Sequence, residues 1–163
     1  PEYYLRRDFN KERSTGGTPF LDSNSDIFKP TNNLMIYGHN MKNGTMFHDL
    51  VKFEDKDCWE KHPTFTFESI YKDNSCSCVY SIFAACRSQI YGPDDKVFKY
   101  YQYPGLTGEK DYNIFVGGVI GLASYDTGVQ PEYDQQLVTL STCTNTTDVG
   151  RFFVVGVKTE ELE

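Results

Sequence analysis

The chain has 163 residues, 39% apolar and 24% charged, the size and balance of one globular domain. Sixteen Lys and Arg against 23 Asp and Glu leave a net charge of −7, which excludes a general attraction to nucleic acid or to an anionic membrane. Aromatic residues at 15% exclude a disordered chain, and no stretch reaches the ~20 apolar residues of a membrane span. The chain opens at Pro1-Glu2 without a Met or a basic-then-apolar leader. It is therefore expected to be a processed or trimmed fragment, with any targeting or anchoring segment outside it.

Residues 8–33 are rich in Asp, Asn, Ser, Thr, Gly and Pro around the apolar island Pro19-Phe20-Leu21, and read as loops flanking a short strand. Leu34–Tyr37 is an apolar run, predicted as a buried strand and ended by Gly38-His39-Asn40. Met46, Phe47, Leu50 and Val51 recur at helical spacing and predict a short helix. A second is predicted over Lys56–Lys61, stopped by Pro63. Thr64–Ser69 alternates as a half-buried strand does, and Cys78–Ile90 reads as a long or bent strand.

Residues 91–110 form a long connection punctuated by Gly92-Pro93 and Pro104-Gly105. Tyr112, Phe115, Val116, Val119, Ile120 and Ala123 then trace one face of an amphipathic helix at about 111–123. Gly117, Gly118 and Gly121 weaken that helix by about 1 kcal/mol each relative to Ala, and tight packing is one explanation for them. Leu137–Cys143 and Arg151–Lys158 are the clearest strands, joined by the polar 144–150 stretch. Several strands and few helices give a mainly β domain, barrel or sandwich.

The five cysteines cannot all pair with one another. Cys58, Cys76, Cys78 and Cys86, taken with His62, match no familiar metal-ligand spacing. No metal or cofactor is called for. Cys76, Cys78 and Cys86 share parity; on one continuous strand they face the same side, as small buried apolar residues do.

Cys143 differs, because it ends one strand and Arg151 begins the next. If the two strands pair antiparallel, thiol and guanidinium meet at one end of the sheet. A nearby cation favours the nucleophilic thiolate, and Arg can hold a developing oxyanion. The hairpin alone also admits a buried Cys beside a solvated Arg. Of the histidines, His48 falls in a helical pattern and reads as packing or solvated, and His62 at a helix end reads as a C-terminal cap. His39 leads from a buried strand into a Gly/Asn loop, a position suited to catalysis or to a structural role. Asn43-Gly44-Thr45 and Asn145-Thr146-Thr147 match glycosylation sequons, which are frequent by chance.

Three segments together resemble the sortase family, class B. Tyr37–Phe47 is similar to its histidine segment, Thr139–Thr144 to its cysteine segment and Gly150–Val155 to its arginine strand, in the family's order. Glu2–Leu5 with Asp8-Phe9, and Tyr125–Gly128, extend the likeness over most of residues 2–158.

The resemblance implies a closed β-barrel with peripheral helices, the helix at about 111–123 preceding the cysteine strand, and a single catalytic domain over 1–163. It implies a cysteine transpeptidase that cleaves an NPxTN-like sorting motif of secreted surface proteins after Thr and joins the Thr to a peptidoglycan amine. Cys143 would be the nucleophile, His39 the general acid and base, and Arg151 the oxyanion or backbone holder. Leu5 and Ser141 match positions that line the substrate groove, and Tyr91, Tyr100 and Tyr101 are candidates for a groove tyrosine. The implied location is the outer face of the cell membrane of a Gram-positive bacterium, with the membrane reached only through an N-terminal anchor outside this chain. A pilin-polymerising sortase with a lysine acceptor, a cysteine hydrolase and a non-catalytic wall-binding β domain are the alternatives.

Overall fold

Alternation and apolar runs place the strands. In the computed structural model, which describes residues 2–27, 32–69 and 76–162, six strands form one sheet. They are β1 (Phe20–Leu21), β2 (Asn33–Tyr37), β3 (Thr64–Ser69), β4 (Cys76–Gln89), β5 (Leu137–Cys143) and β6 (Gly150–Leu162). Their order across the sheet is β1-β2-β5-β6-β4-β3. Neighbours are antiparallel except β2 and β5, which run parallel. The mainly β expectation holds, but the closed barrel overstates it. The sheet is a curled half-barrel whose edge strands β1 and β3 do not pair with each other. A two-residue β1 has too few ladder groups to close the ring.

Among the described residues, three α-helices flank the sheet: α1 (Glu2–Leu5), α2 (Lys56–Lys61) and α3 (Glu109–Leu122). The sequence pattern places α2 and β3 at their observed limits. Asp55 caps α2 by accepting the Asp57 N–H, and His62 ends it through its own backbone N–H, which donates to Cys58 and Trp59 carbonyls. The helix predicted from Met46 is a 3-10 helix, His48–Glu54. Residues 28–31 of the loop-rich opening stretch lie outside the described residues, as does the side chain of Cys76.

Both faces of the sheet are covered. On one, Leu34, Val138, Tyr80, Ile82, Ala85, Phe152 and Val154 pack with Phe65, Leu140 and the 3-10 helix residue Leu50. On the other, Met35, Leu137, Phe153, Val155 and Ala84 pack beneath Tyr100 and the α3 residues Tyr112, Phe115, Val116 and Val119. Each fully buried large side chain contributes about 1.5–3 kcal/mol. Ile120, predicted on the buried stripe, is instead 42% exposed.

Parity fails along β4. Cys78 packs with Tyr80 on the first face, and Cys86 packs under α3 on the second. The cause is a bulge: Ile82 faces Gly156 and Ala84 faces Val155, so Phe83 is an extra residue that reverses the side of everything after it.

The helix glycines divide in the same way. A Cβ on Gly118 would meet the Phe98 ring at 2.6 Å, so tight packing explains that glycine. Gly117 and Gly121 have nothing within 4 Å, and packing does not explain them.

Candidate active site

Two ladders bring three distant segments to one row. The last register pair of β5 and β6 is Cys143 with Arg151. The last pair of β2 and β5 is Tyr37 with Ser141. The chain then stays beside β5: the Gly38 N–H donates to the Ser141 carbonyl at 3.1 Å, and Thr142 Oγ1 donates to the Gly38 carbonyl at 2.7 Å. Two residues past Tyr37, His39 therefore draws level with Cys143. Adjacent strands lie ~4.8 Å apart, so the loop at His39 and the strand ends at Cys143 and Arg151 lie side by side at one end of the sheet. All three line a single cleft of about 400 Å³.

The turn behind the row is tight. The Thr144 N–H donates to the Gly150 carbonyl at 3.0 Å, and a Cβ on Gly150 would collide with the Thr144 hydroxyl. Glycine is the residue that fits there. Arg151 Nη1 donates to the Gly150 carbonyl at 2.9 Å, and among the described residues no carboxylate lies within 4.0 Å of the guanidinium. Its charge is left for whatever enters the cleft.

His39 is half-buried, with Nε2 2.8 Å from the Leu5 carbonyl. A carbonyl only accepts, so Nε2 carries the hydrogen and Nδ1 of the neutral ring keeps its lone pair. The His39 carbonyl accepts the Phe47 N–H at 2.8 Å, which fixes the loop backbone. Gly17, at φ +57°, brings its Cα close to the Leu5 carbonyl; a Cβ there would lie 2.6 Å from that oxygen. The approach holds Leu5 against the imidazole.

Leu5 and Ser141 both line the cleft. The Ser141 hydroxyl is buried 2.7 Å from that of Tyr100, whose ring stacks on Phe153 at 3.9 Å between centroids. Burial pushes the Tyr100 phenol up to about 12. Of the three tyrosine candidates, Tyr100 and Tyr101 line the cleft and Tyr91 does not. At the far end, the Tyr37 hydroxyl donates to Asp22 at 3.2 Å; burial, and then the Asp22 charge, raise its pKa.

Sequence reasoning missed Asn40. Its Nδ2 donates to the Cys143 carbonyl at 3.1 Å, and its Oδ1 accepts from His48 Nδ1 at 2.9 Å. His48 is thus part of the support of the cysteine strand, in place of the packing or solvated role expected. Only the position of Asn40 beside His39 could have pointed to it, since a single loop Asn has no periodicity to read.

No protein-family model matches the chain. It is similar to sortase B of Listeria monocytogenes, 32% identical over 157 residues that cover 95% of this chain and 59% of that protein. The chain spans a little over half the length of the curated relatives it matches. The solved structure of the Listeria monocytogenes sortase B superposes with a TM-score of 0.77 at 32% identity, over 96% of this chain and 81% of that one. A Staphylococcus aureus sortase B–substrate complex, 23% identical, shares the fold with a TM-score of 0.81, over 98% of this chain and 69% of that one. The 32% identity to the Listeria monocytogenes sortase B, over nearly the whole chain and four fifths of its solved structure, places the chain in the class B sortase family.

Proposed function

We infer that the protein is a cysteine transpeptidase that cleaves an NPxTN-like sorting motif after Thr and joins the Thr to a peptidoglycan amine. The observation that carries this reading is the row His39–Cys143–Arg151 opening on one cleft. The Staphylococcus aureus sortase B solved as a substrate complex supports a peptide substrate for this chain.

In the first step the Cys143 thiolate attacks the Thr carbonyl carbon. The carbonyl electron pair moves to oxygen, where the unpaired charge of Arg151 stabilises it. Collapse breaks the C–N bond as imidazolium His39 gives its proton to the leaving amine. This leaves a thioester on Cys143. In the second step a neutral amine attacks that thioester, His39 takes the proton, and the C–S bond breaks to restore the thiolate. One amide is exchanged for another, with no change of oxidation state. Tyr100, stacked and hydrogen-bonded to Ser141, keeps the groove wall rigid beside the thiol.

The reading covers residues 1–163 as catalytic domain. It places the protein at the outer face of the membrane of a Gram-positive cell, where such an acceptor is found. Among the described residues, no helix is long and apolar enough to cross a membrane.

Mass spectrometry after incubation with a panel of sorting peptides tests it. The expected result is an acyl adduct on Cys143 that an added amine removes with formation of the joined peptide. Cys143→Ala is expected to keep the fold and form no adduct. Turnover by that variant, or no adduct with any peptide, overturns the proposal.

A further inference from the structure

His39 borders two hollows. One is the cleft that holds Cys143 and Arg151. The other, of about 560 Å³, lies across Leu5 and is lined by Leu5, Arg6, Arg13, Ser14, Thr15 and His39. The segment that builds it is a short hairpin: Arg7 bridges Arg13, the Ser14 N–H donates to the Arg6 carbonyl at 3.0 Å, and the Asp8 N–H donates to the Glu12 carbonyl at 2.9 Å. Its back is fixed where the Thr18 N–H donates to the Tyr4 carbonyl at 2.9 Å and Gly17 presses on Leu5.

The charge in this hollow is unusual for the chain. The protein carries −7 overall, yet Arg6, Arg7, Lys11 and Arg13 outnumber Asp8 and Glu12 in this hairpin. Arg7 is occupied: its Nη1 donates to the Lys11 carbonyl at 3.0 Å and its guanidinium lies 4.8 Å from the Tyr3 ring centroid. Arg6 and Arg13 are not. Among the described residues no carboxylate lies within 4.0 Å of either. Two unpaired guanidiniums with two hydroxyl-bearing neighbours make a cradle for a carboxylate, which Arg grips through paired N–H donors.

The position of the cradle says which carboxylate. On the reading above, the thioester on Cys143 keeps its peptide in the first cleft, so the incoming amine must reach the thioester beside His39 from the remaining side. The second hollow shares Leu5 and His39 with the first cleft and adjoins the imidazole on another side. Guanidiniums repel an ammonium and attract a carboxylate, so a bound acceptor orients with its anionic end on the arginines and its amine toward the imidazole. The same field favours the neutral, nucleophilic form of that amine.

We propose that Arg6 and Arg13, with Ser14 and Thr15, form the acceptor subsite of the enzyme and select a peptidyl amine that carries a free carboxylate. The proposal rests on the transpeptidase reading but is measured separately from it.

The experiment uses alanine peptides of two to four residues, each with a free C-terminal carboxylate or a C-terminal amide, titrated into the full chain and followed by NMR. A peptide residue spans at most ~3.3–3.6 Å, so the series covers a range of separations between amine and carboxylate. At least one free-acid peptide is expected to bind tenfold or more tightly than its amide. The Arg6→Ala/Arg13→Ala double variant is expected to lose that difference. Because acid and amide are compared within each protein, a general effect of the substitutions on the fold moves both alike. Equal binding of acid and amide by the wild type, no binding of either, or an acid preference that survives in the double variant overturns the proposal. A Cys143 adduct that no sorting peptide forms overturns the transpeptidase reading instead, and leaves the binding comparison to decide the subsite.

Discussion

The side-chain amide of Asn40 donates to the backbone carbonyl of Cys143 at 3.1 Å, across strands whose sequences are 103 residues apart. The bond ties the histidine loop to the cysteine strand at the level where the proposed chemistry occurs. Asn40→Ala is expected to destabilise the protein by about 1 kcal/mol and to lower kcat more than it changes KM for a sorting peptide. Asn40→Asp should be worse, since a carboxylate faces the carbonyl with no hydrogen to give it. Denaturant unfolding and peptide kinetics check both. An Asp variant as active as wild type would remove the positioning role.

Arg151 offers a planar fork of donors, which a lysine ammonium lacks. Both Arg151→Ala and Arg151→Lys are expected to lose about 10²–10³-fold in kcat, the usual effect of removing an oxyanion donor. Fluorogenic peptide cleavage measures it. A Lys variant close to wild type would show that Arg151 supplies charge alone.

Ser141 and Tyr100 share one buried hydroxyl–hydroxyl bond at 2.7 Å. Ser141→Ala and Tyr100→Phe each strand one partner, and each is expected to cost about 1–3 kcal/mol. The double variant should cost less than the sum of the two. Chemical denaturation of the four proteins gives the coupling. Additive losses would mean that the hydroxyl pair contributes nothing of its own.

Neighbouring glycines in α3 should respond in opposite directions. Gly117→Ala meets open space and is expected to stabilise by about 0.5–1 kcal/mol. Gly118→Ala drives a methyl into the Phe98 ring and is expected to destabilise. Thermal melts check the pair. Phe98 leads into the Tyr100 and Tyr101 wall of the cleft, so Gly118→Ala should also weaken peptide binding.

Burial holds the phenols of Tyr80, Tyr100, Tyr112 and Tyr125 up to about 12, against about 10 in an unfolded chain. The folded state therefore keeps protons that the unfolded state has lost between those values. Their contribution to stability is complete below pH 10 and falls as pH rises from 10 to 12. Urea unfolding across that window, with tyrosinate absorbance in parallel, should show stability dropping while part of the tyrosine absorbance stays silent until the protein unfolds.

Much of this architecture was legible because local pattern and tertiary role agree. Pro63 marks the end of α2, strict alternation marks β3, and apolar runs mark β5 and β6. The pairing of Cys143 with Arg151 was legible for a related reason: they flank one short turn, so pairing of the hairpin is enough to make them neighbours. The errors came where a tertiary choice overrides the local one. Phe83 adds a residue to β4 and sends Cys86 to the face opposite Cys78, which parity cannot foresee. Ile120 fits the helical period but turns to solvent, because α3 covers the sheet with the narrower stripe Tyr112–Val119. Closure of the sheet depends on the reach of the two-residue β1, which composition does not encode. The second hollow was invisible because Arg6 and Arg13 come to line one hollow only when the hairpin folds.

The parallel pairing of β2 with β5 joins Gly38 to Thr142 across 104 residues of chain. Contacts of such long range form late and slow folding. A chain emerging from its N-terminus would display the imidazole strand long before the thiol strand exists. The thiol then arrives with its cation eight residues behind it, and all three groups assemble only when the last strand docks. The row that the proposed chemistry needs is thus incomplete until β6 has paired with β5.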